Sequence, residues 1–467
     1  MPKLVFFLLF SVAIYHAAYS KVSFPAIVGD NMVLQQQSTV MLWGWSKKGS
    51  MVTIVTSWNK KTYKTEKSSD GKWKMPISTP IAGGPYTISF NDGELTVLDN
   101  ILIGEVWLCS GQSNMEMPVK GFRNQRILNS NELLLDAENE SLRFFLVQKN
   151  TSKIPLEDVK GQWQQSSAAT IKQFSAVAYQ FGRALQQKLK VPVGLIGTYW
   201  GGTPIQAWMS VSSLNAFPEI KLPDPADTAR MPAVTPTLLF NAMINPLVHF
   251  PVKGFLWYQG ESNVSNAPQY EKLMGAMVGE WRKLWGSGES PFYFVQIAPY
   301  SYGNDSGRQS AYLREAQLKS VSNITNTGMA VSLDAGTRTN IHPPDKTVIS
   351  KRLLYLALVK TYGKTGIGFS GPVYKSMKVE GNKANINFDF AENGLSSFEK
   401  ELSHFEIAGE DRMFYPASAS ITQEGLVVQS VKVQAPVAVR YAFKNWVIGD
   451  LYNTEGLPAS SFRTDNW

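Results

Sequence analysis

Four short segments of this 467-residue chain carry side chains able to do chemistry together. They are Gly111-Gln112-Ser113-Asn114-Met115-Glu116, Trp200-Gly201-Gly202-Thr203, Gln259-Gly260-Glu261-Ser262-Asn263, and Asp334-Ala335-Gly336 running on to Ile341-His342-Pro343. In the first, a glycine two residues before Ser113 lets the backbone bend sharply and present the hydroxyl. The same position also suits a plain helix cap. Histidine is scarce, which narrows the choice of a base. Of the 4 histidines, His16 lies in an apolar leader, His249 in a mostly apolar stretch and His404 in a terminal β pattern. Only His342 follows a strand of an α/β region, and Pro343-Pro344 fixes the shape of its loop. A lone histidine in such a loop is either structural or a base.

A neutral hydroxyl is a poor nucleophile, so it needs a base within hydrogen-bond reach and donors aimed at the oxyanion that forms. Ser113 and His342 answer the first need. The backbone N–H of Ser113, the N–H of Gly202 and the side-chain amide of Gln259 are candidate donors for the second. No His-Glu-x-x-His or Cys-x-x-Cys arrangement occurs, so neither a metal nor a cofactor is expected.

These segments need a scaffold that gathers them. From Ile101 onward, short apolar runs are each followed by a polar or Gly-rich loop and then a helical pattern, as a parallel α/β sheet requires. The expected strands are Ile101–Leu108, Val193–Thr198, Gly254–Tyr258, Phe292–Ile297 and Met329–Leu333. Phe174, Val177, Phe181, Leu185 and Leu189 fall at helical spacing, as do Tyr270, Leu273, Met277, Trp281 and Leu284, and both stripes read as core faces. In an open α/β sheet, ligands bind beyond the carboxyl ends of the strands, where all four segments fall. Residues 21–100 and 371–467 instead alternate in the β manner between Gly- and Asn-containing turns. The organisation read from the chain is therefore a leader over residues 1–20, a β domain over 21–100, an α/β domain over 101–370 and a second β domain over 371–467.

The leader opens with Lys3, continues through the apolar run Leu4 to Ile14 and ends at Ala18-Tyr19-Ser20, the pattern of a cleaved export signal. It is shorter than the ~20 apolar residues of a spanning helix, and no later run is apolar for long enough to cross a bilayer, so no membrane span is expected after its removal. The expected location is a periplasm or the extracellular space. Cys109 is the single cysteine, which excludes an intramolecular disulfide. A net charge of +8, spread out with no basic run between aromatics, gives no electrostatic case for nucleic acid.

Gly-Gln-Ser-Asn-Met-Glu-Met-Pro at 111–118, Trp-Gly-Gly-Thr at 200–203, Trp-Tyr-Gln-Gly-Glu-Ser-Asn at 257–263 and the Asp-Ala-Gly to Ile-His-Pro segment at 334–343 resemble the sialate O-acetylesterase (SASA-type) family of the SGNH-hydrolase superfamily. The resemblance extends to Asp30-Asn31-Met32-Val33-Leu34-Gln35, to Glu455-Gly456-Leu457-Pro458 and to Phe462-Arg463-Thr464, nearly the whole chain in order. It implies an SGNH-type, flavodoxin-like hydrolase domain flanked by β-sandwich-like domains. It also implies a serine esterase acting on O-acetylated sugars, sialic acid foremost. Ser113 maps to the nucleophile, His342 to the base, and Gly202 and Gln259 to oxyanion positions, with Gly201 adjacent as the other glycine. The sequence departs from the superfamily at one place: the aspartate that many members carry three residues before the histidine is Thr339 here, followed by Asn340. The third member of a triad is then either Asp334 or a backbone carbonyl, with a loop cap as the other reading of Asp334. Glu261 reads as a brace for the Gln259 loop.

Other readings remain at this level. An acetylxylan-type esterase would use the same chemistry, a two-carboxylate glycosidase would release sugar instead of acetate, and a weakened hydrolase could act as a glycan-binding protein. Trp107, Trp200, Trp208 and Trp257 are candidates for stacking on a sugar face, or for the core.

Overall fold

The computed structural model describes residues 21–224 and 231–467, so the leader lies outside the described residues. At the centre stands a sheet in the order 327–330, 292–295, 254–258, 95–111, 193–199, 139–146, 163–166. Every neighbouring pair runs parallel except the last, where Trp163–Ser166 closes the edge antiparallel to Asn139–Leu146. The five strands expected from sequence therefore stand in the doubly wound order 2-1-3-4-5, with 139–146 added outside the second. The strand 139–146 was not anticipated. Arg143 interrupts its apolar run, and this arginine is buried at 2% exposure because its guanidinium donates to the carbonyl and side-chain oxygens of Asn100. The last strand spans Thr327–Ala330 rather than Met329–Leu333, and the chain then leaves the sheet as Ser332 Oγ donates to Gln296 O.

The helical stripes fold as expected into Ala176–Leu189 and Ala267–Trp285, with Val177, Phe181 and Leu185 buried on the first and Tyr270, Leu273, Met277 and Trp281 on the second. Two further helices, Gln309–Asn323 and Lys346–Leu356, complete the layers. Their polar sequences hide them, for arginines, glutamines and lysines occupy buried positions on both: Arg314, Gln317, Lys346 and Arg352.

The first strand of this sheet is unusually long. Leu95–Gly111 covers 17 residues, and its early half pairs with Gly83–Asn91 in the N-terminal β unit. It bends at Asn100, which takes a left-handed φ of 56°. Two contacts clamp the bend: Arg143 on one side and, on the other, Asn31 Oδ1, which accepts from Asn100 Nδ2 at 2.8 Å. The boundary read after residue 100 falls at that bend, inside one continuous strand. Val33–Gln35, part of the Asp30–Gln35 segment, lies parallel to Leu102–Gly104 and covers the same strand from outside.

The C-terminal residues form two four-stranded antiparallel sheets. They face each other through Tyr374 and Phe388 of one and Phe462 of the other, with ring centroids 5.1 and 5.7 Å apart. Arg314 of helix 309–323 is fully buried beneath this unit and donates to Ser461 Oγ and to the carbonyl oxygens of Ala442 and Lys444.

Candidate active site

Ser113 sits where the central strand turns into a short helix, Ser113–Glu116. The turn requires Gly111, whose φ is +140°, because a Cβ there would stand 2.2 Å from Tyr258 O of the neighbouring strand. Gln112 occupies the cap position without a side-chain bond, and its carbonyl accepts from Met115 and Glu116 N. Ser113 is thus the first helical residue, partly exposed, and not the side-chain cap.

The three other segments converge on it. A Cβ on Gly201 would lie 3.1 Å from Ser113 Cβ and 3.3 Å from Glu116 Oε2, so the Trp-Gly-Gly loop lies directly against the serine. Glu116 fixes that loop by accepting from Gly201 N at 2.6 Å while its other oxygen accepts from Lys149 Nζ at 2.6 Å. Gly201 N is therefore committed. Gly202, with φ +75° and open space where a Cβ would be, makes no backbone hydrogen bond through its N–H among the described residues. Gln112 Oε1 accepts from Gly260 N and Ser262 N, both at 3.3 Å, and so draws in the third segment.

Asn114 joins the serine helix to the histidine loop. Fully buried, it donates through Nδ2 to Ile341 O at 3.1 Å and Glu261 Oε1 at 2.5 Å, and accepts through Oδ1 from Lys346 Nζ at 2.6 Å. Lys346 is fully buried and Glu261 nearly so. Burial raises the Glu261 carboxyl, with the Asn114 bond and the Lys346 charge opposing, and lowers the Lys346 ammonium to about 7.

His342 Nδ1 lies 2.6 Å from Gln125 Oε1. With an amide oxygen as its partner, Nδ1 carries the proton and Nε2 is left as the basic nitrogen. Phe122 packs edge-on against the imidazole at a centroid distance of 5.3 Å, and Asn340 Oδ1 accepts from His342 N at 3.0 Å. Burial first, then the nearby Lys346 charge, lowers His342 to about 4, so the ring is neutral across the physiological range. Among the described residues no hydrogen bond joins Ser113 Oγ to His342. In unliganded enzymes the hydrogen bond between a nucleophile and its base is commonly long and tightens on substrate.

Two residues that the sequence offers for the site, Gln259 and Asp334, are held by other partners in the structure. Gln259 is fully buried, and its Nε2 already donates to Thr203 O at 3.1 Å and Asn263 Oδ1 at 2.7 Å, while Oε1 accepts from Tyr270 Oη at 2.8 Å. Both of its amide hydrogens are thus engaged in bracing the Gly-rich loop rather than left open toward Ser113. Asp334 is equally occupied, held bidentate by Arg352 at 2.7 and 2.7 Å, and it does not orient His342. Gln125 does so in its place, rather than a backbone carbonyl.

The family described as carbohydrate esterase, sialic acid-specific acetylesterase, matches residues 103–347. The chain belongs to this family. Two sialate O-acetylesterases, from Pongo abelii and Homo sapiens, are each 31% identical over 91% of this chain and 88% of their own length. The crystal structure of a carbohydrate acetylesterase from Xanthomonas citri, 35% identical, superposes with a TM-score of 0.88 over 96% of this chain and 100% of that one. This carbohydrate esterase is accordingly a carboxylic ester hydrolase. Among the described residues no group of three or more His, Cys, Asp or Glu could hold a metal ion, and no helix is long and apolar enough to cross a membrane.

Sequence reading missed Gln125 and Lys346. Gln125 sits in Phe122-Arg123-Asn124-Gln125-Arg126, an ordinary polar loop with no local signature, and only the fold carries it to a histidine 217 residues away. Lys346 offered one signal, since it lies one turn past His342 at the start of a helix. Of the four tryptophans, Trp107, Trp208 and Trp257 are core residues at 0% exposure. Trp200 alone is partly exposed, with Lys149 Nζ 5.3 Å above its ring.

Proposed function

We propose that this carbohydrate esterase removes O-acetyl groups from sugars through an acetyl-serine intermediate, with an SGNH-type division of labour among its loops. Ser113 is the nucleophile and His342 the base. Nε2 takes the Oγ proton as Oγ attacks the acetyl carbonyl carbon. The tetrahedral oxyanion is held by the N–H groups of Ser113 and Gly202, and the sugar oxygen leaves with the proton from the imidazolium. Water, deprotonated by the same nitrogen, then attacks the acetyl-serine, releasing acetate and restoring the hydroxyl. The observation that carries this reading is the pinned imidazole: Gln125 fixes its tautomer, burial keeps it neutral, and Asn114 ties its loop to the serine helix.

O-acetylated sialic acid is the favoured substrate, since the chain's family and its similar vertebrate relatives are described by it. An acetylated plant polysaccharide such as xylan is the second reading, favoured by the likeness to a bacterial carbohydrate acetylesterase. The leader composition supports a location outside the cytoplasm, in a periplasm or beyond the cell. Acetate release from acetylated sialic acid and acetylated xylan, measured with wild type and Ser113→Ala, tests the reading. Release that vanishes in the variant is expected, and the faster substrate assigns the class. Undiminished release by Ser113→Ala would refute the serine mechanism.

A further inference from the structure

Two cavities flank the catalytic loops and share a wall. One, of about 670 Å³, reaches from Glu116 and Lys149 to Gln164 on the edge strand. The other, of about 570 Å³, reaches from Gln125 and Arg126 to Thr339. Lys120 and Phe122 line both. The shared wall is catalytic ground, for Phe122 is the ring packed on His342, and each cavity touches the machinery from its own side. In one, Glu116 holds the loop that abuts Ser113; in the other, Gln125 holds His342.

The chemistry of the walls matches a chain of hydroxyl-bearing rings. Gln148, Gln162, Gln164 and Gln173 line the first cavity, and among the described residues none of their side-chain amides makes a hydrogen bond within the protein. An amide that both donates and accepts fits a sugar hydroxyl, which does the same. Thr339 and Asn124 present uncommitted polar groups in the second cavity. Both are open grooves whose volumes fall within the roughly 300–1,000 Å³ of a drug-sized ligand's site, so one acetylated sugar at the shared wall would leave most of both empty.

From these observations we infer that the enzyme binds an oligosaccharide across Phe122, with the acetylated unit at Ser113 and further sugar units in both cavities, so that its preferred substrate is acetylated glycan chain rather than free acetylated sugar. The inference rests on the esterase reading above and narrows its substrate class. The residue that stands where the superfamily carries its aspartate, Thr339, is in this account part of the second cavity's wall.

The test compares kcat/KM for a free O-acetylated sugar and for the same acetylated sugar within a tetrasaccharide, in the xylose series and in the sialic acid series, with 4-nitrophenyl acetate as a size-independent control. The chain is expected to gain about tenfold or more over the free sugar in at least one series, mostly through KM, as one or two additional hydrogen bonds supply. The double variant Gln148→Ala/Gln164→Ala is expected to erase most of that gain while leaving the free sugar and the aryl ester unchanged. Equal kcat/KM for chain and free sugar in both series, or a double variant that slows all substrates alike, would overturn the inference. Loss of the underlying reading is visible separately, as aryl acetate turnover that persists in Ser113→Ala.

Discussion

Replacing Gln125 by glutamate isolates what holds His342 in place. In the wild type, a neutral amide oxygen meets Nδ1 at 2.6 Å, and the imidazole titrates at about 4 because burial and Lys346 both oppose its charged form. A carboxylate at the same spot favours the imidazolium. Opposite charges in direct contact raise a histidine by about 1–3 units, which moves His342 to roughly 5–7. The base must be unprotonated to act, so kcat/KM of the wild type should rise through pH 4 and stay level toward neutrality. In Gln125→Glu the acid limb should move up to about pH 5–7. With a midpoint near 6, only about a tenth of the variant would be active at pH 5, against about nine-tenths of the wild type. The assay is kcat/KM for 4-nitrophenyl acetate from pH 3.5 to 8. Gln125→Ala provides the contrast: its limb should stay near 4 while its plateau falls by about 10², since the ring loses the partner that fixes its tautomer. An acid limb that Gln125→Glu leaves in place would refute the argument that this histidine is the base and this glutamine its orienting partner.

Two further substitutions separate bracing from chemistry. Gln259→Ala strips partners from Tyr270 Oη, Asn263 Oδ1 and Thr203 O, so it should cost about 2–3 kcal/mol of stability, seen as a lower thermal midpoint. An oxyanion donor would behave otherwise, losing 10²–10³ in kcat with the midpoint unmoved. Asp334→Ala leaves Arg352 without its bidentate partner and should destabilise by about 3 kcal/mol in denaturant unfolding, while the pH profile of kcat/KM keeps its acid limb near 4. A shifted limb would return Asp334 to the histidine.

What the sequence made legible was whatever a short local pattern encodes. The strand-to-glycine-to-serine turn at 111–113 announces a bend because only glycine tolerates the approach to Tyr258. The apolar runs at 193–199 and 254–258 announce buried parallel strands because both their faces are covered. Periodicity found the helices 176–189 and 267–285 and lost those at 309–323 and 346–356, whose inward faces carry Arg314, Gln317, Lys346 and Arg352 satisfied by distant carbonyls, amides and carboxylates. Hydrogen-bond partnership was the least legible property. Gln259 has the right residue type beside the right strand, yet Thr203, Asn263 and Tyr270 consume its amide. Asp334 likewise meets Arg352 before it can meet a histidine. Such pairings depend on where other elements arrive, and the residues themselves give no sign of it.

The strand that delivers Ser113 also settles how this enzyme can be inherited. At ~3.3 Å per residue its 17 residues trace about 55 Å along the bent strand, with one end in the N-terminal β unit and the other two residues short of Ser113. A cut after residue 100 would sever a ladder rather than a linker, leaving Ile101 and Ile103 without Tyr86 and Gly83, and Leu102–Gly104 without Val33–Gln35. On its N-terminal side the hydrolase sheet therefore has no clean edge at which a separate gene segment could be joined or lost. Exchange of a whole N-terminal domain would have no seam to work on at this boundary. This suits a chain whose likeness to its relatives runs through 91% of its length instead of stopping at the catalytic core.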